Sequence, residues 1–166
     1  MYLCIDIGGT AIKYGVTDAA GTFAAHGSMP TEAQEHGGPG IVRKVNALVR
    51  TAQEKHALRG VAISTAGMVD PAAGSILYAL EASIPRYQGV NWKAVMRETF
   101  DLPAAVENDV NCAALGELWK GAGRGASSFF AMTVGTSIGG CLVMDGHVVH
   151  GAAGSAGEIA YMRVPG

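Results

Sequence analysis

The glycine pair Gly8-Gly9 constrains the fold of this chain more than any other feature, because strand-like segments lie on both sides of it. Tyr2–Ile7 is an apolar run that ends at the pair, and Ile12–Val16 alternates between apolar and other residues. A two-glycine turn between such segments predicts a β-hairpin. A second turn and a third strand over residues 22–28 are expected to follow.

The rest of the chain alternates between helical and strand-like patterns. Apolar residues recur at helical spacing in three segments, the second of which follows Asn91, a favoured N-cap residue, and ends before Pro103. This order predicts the α/β class with a mixed five-stranded sheet. The predicted helices are 41–52, 92–100 and 110–120, the predicted strands are 61–64, 104–106, 129–133 and 140–144, and 30–40 is expected to be a polar loop.

The glycine-rich segment 121–125 is the best candidate for a domain boundary. We therefore predict a first lobe over residues 1–122 and the beginning of a second lobe over residues 123–166. About forty residues are too few for an independent core. The chain is accordingly expected to end inside a fold.

Composition excludes several functional classes. The chain has 166 residues, of which 49% are hydrophobic and 16% charged, as in ordinary globular proteins. The net charge is −2 and the basic residues are scattered, so no nucleic-acid partner is expected. The uncharged, largely apolar stretch 129–144 is short and broken by glycines, which argues against a membrane span. Three cysteines without a CxxC pair suit a reducing cytoplasm, and the five histidines show no metal-ligand spacing.

The first segment whose residues suit a binding site is Asp-Ile-Gly-Gly-Thr-Ala-Ile-Lys, residues 6–13. A glycine turn can direct backbone N–H groups at an anion, and Thr10 adds a hydroxyl. Lys13 on the returning strand can reach a phosphate, and Asp6 can help to hold the water shell of Mg²⁺. The alternative is a plain hairpin with a surface lysine, and the combination of flanking residues favours the anion site.

The segment 134–140, Val-Gly-Thr-Ser-Ile-Gly-Gly, is a second turn of the same chemical type between two apolar strands. Two such turns in one chain suit a nucleotide whose phosphates are held from both sides. Taken alone, this segment is equally well explained as a glycine hairpin.

Two further segments carry carboxylates. Glu107–Asn111 follows a short strand and opens a helix, so Asn108 or Asp109 could simply cap that helix. Polar residues at the carboxyl end of a strand are also where α/β proteins place ligands, and a carboxylate there can act as general base toward a hydroxyl. In the segment 154–158, Glu158 could accept hydrogen bonds from vicinal hydroxyls, although the segment alone indicates only a loop.

These four segments, in this order, resemble the ROK family of sugar kinases and sugar-responsive repressors. That family belongs to the actin-like ATPase clan and has a ribonuclease-H-like fold. The segments that carry the resemblance are DIGGTAIK, ENDVNCAALGE, VGTSIGG and GSAGE. The resemblance implies a transfer of phosphate from ATP, with Mg²⁺, to a sugar. The implied phosphate-binding residues are Gly8, Gly9, Thr10 and Lys13 in the first turn and Gly135 and Thr136 in the second.

The resemblance also implies roles at the sugar. Asp109 matches the catalytic base, which takes a proton from the 6-hydroxyl. Asn108 and Glu158 match sugar-contacting residues, and Gly67 matches the glycine of a loop that lines the sugar site.

The chain departs from the family pattern after Glu158. Tyr161 stands where family members commonly carry a zinc-binding His, and no cysteine-rich segment follows, so we predict no zinc. Tyr161 and the segment 83–87 resemble the β-glucoside kinase branch more than the glucokinase branch.

The leading hypothesis is therefore a cytoplasmic ATP-dependent sugar kinase that acts on a hexose, an amino sugar or a β-glucoside. The alternative is a sugar-sensing regulator of the same family without turnover. The resemblance implies a homodimer for the full-length protein. Because much of the adenine site would lie beyond Gly166, the 166-residue chain alone is expected to be inactive.

Overall fold

A computed structural model of the chain describes residues 1–135 and 137–162. By its internal contacts the chain divides into two units, Met1–Asn108 and Asp109–Gly166. The first unit contains β1 (Tyr2–Ile7), β2 (Ala11–Thr17), β3 (Phe23–Pro30), α1 (Ala33–Lys55), β4 (Gly60–Thr65), β5 (Met68–Asp70), β6 (Ser75–Tyr78), α2 (Trp92–Phe100) and β7 (Ala104–Asn108). The second contains α3 (Asp109–Lys120), β8 (Phe129–Val134), β9 (Ile138–Met144), β10 (His147–Val148) and a 3-10 turn at Ile159–Tyr161.

The first unit is built on a five-stranded sheet in the order β3-β2-β1-β4-β7. β1 pairs antiparallel with β2 and parallel with β4, and β4 pairs parallel with β7. The predicted α/β class and the mixed five-stranded sheet are therefore confirmed. Leu3, Ile5 and Ile7 alternate along β1 with half-buried residues and belong to the same buried cluster as Ile41 and Val45 of α1.

Helix α1 corrects the prediction of a polar loop over residues 30–40. It begins at Ala33 and is interrupted at Gly37, whose φ of 58° and ψ of −161° are not helical. The Gly38 N–H donates to the carbonyl of Pro85 at 2.8 Å, and a Cβ on Gly38 would lie 2.9 Å from the Tyr87 Cα. The glycine pair thus permits a close approach between two backbone segments, which composition alone could not distinguish from a loop.

A two-stranded hairpin, β5 and β6, is joined by a turn at residues 70–74. Asp70 Oδ1 accepts hydrogen bonds from the N–H groups of Ala72 and Ala73, both at 2.9 Å, and Gly74 has φ 77°. The two strands of this hairpin were not predicted, because they have three and four residues, too few for an alternation pattern to stand out.

Helix α2 begins as predicted, since Asn91 Oδ1 accepts a hydrogen bond from the Ala94 N–H at 2.9 Å. It ends at Phe100, followed by Asp101 in the left-handed region with φ 53°. Two helix boundaries read from the sequence are therefore confirmed to within a residue or two.

In the second unit, β10, β9 and β8 form an antiparallel sheet. Ala114 of α3 is buried with Cys141 and Val143 of β9. The turn between β9 and β10 has positive φ at Asp145 (50°) and Gly146 (75°). Because α3 packs on β8 and β9, the division by contacts falls before this helix. The lobe boundary at residues 122 and 123 would place α3 in the first lobe and stays a prediction.

None of the helices in the described ranges is long and apolar enough to cross a membrane.

A buried hydrogen-bond network supports the end of β4. Tyr87 Oη accepts a hydrogen bond from Trp92 Nε1 at 3.0 Å and shares another with Thr65 Oγ1 at 2.7 Å, and all three side chains are fully buried. Burial raises the pKa of Tyr87 to about 12, although both hydrogen bonds act in the opposite direction. The phenol therefore stays neutral at physiological pH.

We expect Tyr87→Phe to lower the free energy of unfolding by about 1–3 kcal/mol, because it leaves the buried Trp92 N–H without an acceptor. Urea unfolding of the variant and of the unchanged protein gives this difference. Tyr78→Phe, at a partly exposed position, is the matched control and is expected to stay within about 0.5 kcal/mol. Equal stability of Tyr87→Phe and the unchanged protein would contradict the role given to the network.

Candidate functional site

A row of polar side chains crosses the sheet of the first unit near the Gly8–Thr10 turn. Asp6 lies opposite Lys13 of β2 and opposite Ser64 of β4, and Ser64 lies opposite Glu107 of β7. Residues directly opposite one another project from the same face of a sheet. Ser64 Oγ donates to Asp6 Oδ1 at 2.8 Å, which orients the carboxylate.

Two of these four residues, Asp6 and Lys13, were predicted from the sequence. Ser64 and Glu107 were not assigned a role there. Their strands were recognised, but which residue of one strand faces which residue of the next depends on the register. Glu107 Oε1 accepts a hydrogen bond from the Asn108 N–H at 2.8 Å and so also orients the backbone at the end of β7.

In the Gly8–Thr10 turn, two of the three carbonyl groups and one of the three N–H groups have hydrogen-bond partners. The Gly8 N–H donates to the Ala11 carbonyl at 3.1 Å, while the carbonyls of Gly8 and Thr10 accept hydrogen bonds from Thr31. Within the described part of the chain, the N–H groups of Gly9 and Thr10 donate to no other residue. Gly9 is exposed, and a Cβ built on it would meet no atom within 4 Å. An exposed turn with available donors can bind an anion.

Gly67 and Asn108 are brought together at the ends of β4 and β7. Asn108 Nδ2 donates to the Gly67 carbonyl at 3.0 Å, which fixes the direction of the Asn108 amide. Gly67 has φ 101°, and a Cβ there would lie 2.6 Å from the Tyr78 carbonyl. Both the dihedral angle and the close approach therefore require glycine at this position.

In the second unit, Asp109 is the first residue of α3. Its Oδ1 accepts a hydrogen bond from the Val110 N–H at 2.9 Å. A helix N-terminus favours negative charge, because its first N–H groups and the helix dipole point toward it. The start of this helix is therefore a favourable place for the Asp109 carboxylate, whether its role is to cap the helix or to act as a base.

Glu158 lies close enough to Asp109 for the two carboxylates to interact. Partial burial raises the pKa of Glu158 above its ordinary value, and the negative charge of Asp109 raises it further. The loop that carries Glu158 is fixed on β9, since the Gly140 N–H donates to the Gly157 carbonyl at 3.0 Å. The second unit thus brings together two carboxylates that are 49 positions apart in the sequence.

The second glycine turn is described only in part. Gly135 N–H donates to the Ser137 carbonyl at 3.0 Å, and a Cβ on Gly135 would meet open space. Thr136, also predicted to bind phosphate, lies outside the described residues. Gly139 and Gly140 have a packing role, because a Cβ on either would collide with neighbouring atoms, among them Val110 and Phe130.

The donors present fit Mg²⁺ held mainly by water and phosphate oxygens. Asp6 supplies one oriented carboxylate, and Mg²⁺ commonly uses only one or two from the protein. Among residues 1–135 and 137–162, no three His, Cys, Asp or Glu side chains are grouped so that they could hold a metal ion.

Comparisons with known proteins agree with the family that the segments resemble. An uncharacterised protein of Clostridium perfringens is 49% identical over 166 residues, which cover 100% of this chain and 56% of that protein. The β-glucoside kinase of Listeria monocytogenes is 36% identical over 95% of this chain and 51% of its own length. The chain thus spans about half the length of the curated relatives it matches.

A solved structure shows the same fold. It is a ROK family glucokinase from Streptomyces griseus in complex with glucose and AMPPNP, with a TM-score of 0.85 and 34% identity over 99% of this chain and 51% of that chain. The model of the ROK family matches residues 2–165. By sequence over nearly its whole length, and by fold, this chain belongs to the ROK family.

Proposed function

We propose that this chain is the phosphate-binding and base-bearing part of an ATP-dependent sugar kinase. The observation that carries the proposal is the Asp109 carboxylate at the start of α3, which interacts with the Glu158 carboxylate. Asp109 directly follows Asn108, whose side-chain amide donates to the Gly67 carbonyl. Relatives and solved neighbours named as glucokinase, β-glucoside kinase and N-acetyl-D-glucosamine kinase support a sugar as the acceptor.

The first glycine turn is proposed to bind phosphate oxygens through the N–H groups of Gly9 and Thr10. Lys13 adds positive charge from the next strand, at the register position opposite Asp6. Asp6, oriented by Ser64, is proposed to hold water of a Mg²⁺ ion that neutralises phosphate charge. Gly135 and Thr136 are proposed to bind phosphate in the second turn.

Asp109 is proposed to act as general base. ATP supplies the phosphoryl group when it is bound. The carboxylate of Asp109 accepts the proton of a sugar hydroxyl, proposed to be that on O6, as the oxygen forms its bond to phosphorus and the bond to the departing diphosphate oxygen breaks. The helix N-terminus favours the ionised form that this step requires.

The sugar is proposed to be held by Asn108, Glu158 and the backbone around Gly67. An amide and a carboxylate can together donate to and accept from neighbouring hydroxyls. We further propose a hexose, amino sugar or β-glucoside as the class of acceptor, and the cytoplasm, where ATP is available, as the place of action. The homodimer implied by the family resemblance also stays a prediction.

We expect Asp109→Asn in the complete protein to lower kcat by about 10²–10⁴-fold, because Asn cannot accept the hydroxyl proton. An ATP-consumption assay against glucose, N-acetylmannosamine, N-acetylglucosamine, fructose and cellobiose measures the effect. Asp101→Asn is the control. Its carboxylate is exposed and pairs only with Arg97 among the described residues, so activity should stay within about twofold.

Two outcomes would contradict the proposal. Retained turnover in Asp109→Asn would exclude this residue as the base. Sugar binding by the unchanged protein without ATP consumption on any sugar would instead favour a sugar-sensing regulator.

We expect sugar binding to weaken as pH falls, since a protonated Glu158 loses part of its ability to accept hydrogen bonds. Because the pKa of Glu158 is raised, the loss should begin at higher pH than for an ordinary glutamate, and affinity should then fall by up to about tenfold per pH unit. Calorimetric titration with sugar between pH 4 and 8, without ATP, measures this dependence.

Two variants locate the effect. Glu158→Gln should bind sugar more weakly and lose this pH dependence. Asp109→Asn removes the negative charge that disfavours ionisation of Glu158, so the midpoint should move to lower pH. An unchanged midpoint in both variants would show that another group titrates.

A further inference from the structure

Thr31 connects the first glycine turn to the start of α1. It follows the last residue of β3 and is fully buried. Its N–H donates to the Thr10 carbonyl at 2.9 Å, and its hydroxyl donates to the Gly8 carbonyl at 2.7 Å. One residue, 23 positions from Gly8, therefore contacts two of the three carbonyls of the turn.

The hydrogen bond from the Thr31 hydroxyl to the Gly8 carbonyl determines which way the turn presents the Gly9 N–H group. In a planar trans peptide the carbonyl and the following N–H point in opposite directions. Holding the Gly8 carbonyl against Thr31 therefore directs the Gly9 N–H away from Thr31. The Thr10 carbonyl fixes the Ala11 N–H in the same way. Without these contacts, a turn around two glycines has many other conformations available.

Thr31 is itself held in place. Lys44 of α1 donates from Nζ to the carbonyls of Pro30, at 2.7 Å, and Thr31, at 3.1 Å, and also pairs with Glu32. The residue that contacts the turn is thus fixed from the side of α1. Its buried hydroxyl has a defined acceptor in the Gly8 carbonyl.

We propose that Thr31 is a positioning residue for nucleotide binding, which keeps the Gly8–Thr10 turn in the conformation that offers N–H groups to phosphate. The proposal rests on the proposed function of that turn. Thr31 acts through the turn and has no role at the sugar. Its loss should therefore change the interaction with ATP selectively.

Two matched pairs in the complete protein test the hydroxyl. Thr31→Val replaces the hydroxyl by a methyl group of similar shape, and Thr31→Ala differs from Thr31→Ser by one oxygen atom. We expect Thr31→Val to raise KM for ATP about tenfold relative to the unchanged protein, and Thr31→Ala to raise it about tenfold relative to Thr31→Ser. In both pairs KM for the sugar should change less than about twofold. Thr51→Val, at an exposed position on α1, should leave both constants unchanged.

A second measurement does not depend on turnover. The rise in the thermal unfolding midpoint caused by AMPPNP should be smaller in Thr31→Val and Thr31→Ala than in Thr31→Ser and the unchanged protein. A purely structural role would lower the midpoint without nucleotide and leave the ratio of the two KM values unchanged.

The outcomes separate the two proposals. If the unchanged protein phosphorylates a sugar and Asp109→Asn abolishes this, but the hydroxyl pairs show equal KM for ATP and equal AMPPNP stabilisation, the role of Thr31 is wrong and the kinase stands. Failure of both hydroxyl-free variants to fold, with Thr31→Ser folded, would likewise assign the hydroxyl to stability and overturn the proposal. Absence of sugar phosphorylation and of AMPPNP stabilisation in the unchanged protein would overturn the function on which it rests.

Discussion

The pairing of β1 with β2 on one side and β4 on the other is the constraint on which the rest of the first unit depends. It places Asp6 between Lys13 and Ser64 and brings the Gly8–Thr10 turn to the end of the sheet. The alternation of buried and half-buried residues along β1 fixes the register of these strand pairs. A slip by one residue would move every buried apolar residue of β1 to the opposite face of the sheet. Packing of the core therefore positions the polar row.

Two of the buried hydroxyl groups in the first unit occur where a particular backbone shape must be maintained. Tyr87 and Thr65 share a hydrogen bond at the end of β4, two residues before Gly67. In the first glycine turn, the Thr31 hydroxyl donates a hydrogen bond to the Gly8 carbonyl. A buried hydroxyl is costly without a partner, so each of these bonds strongly favours one arrangement over its alternatives. The backbone of the proposed binding segments is thus fixed from the side that faces the core.

Much of the fold was predictable because its signals are local. The first hairpin, the cap at Asn91 and the helices at residues 92–100 and 110–120 each depend on residues within a few positions of one another. The start of α1 was wrong because glycines that allow close backbone contact have the composition of a loop. The β5–β6 hairpin was missed because its strands are too short to show a period.

The sequence by itself determined the chemical groups at the site and their local setting: a glycine turn followed by Lys13, and a carboxylate, Asp109, that begins a helix after a strand. Only the tertiary structure decided which of these groups meet. The register of Asp6 with Ser64, the contact of Thr31 with the turn and the coupling of Glu158 to Asp109 all join residues far apart in the chain. Such contacts depend on strand order and packing, which no short-range pattern of residues encodes.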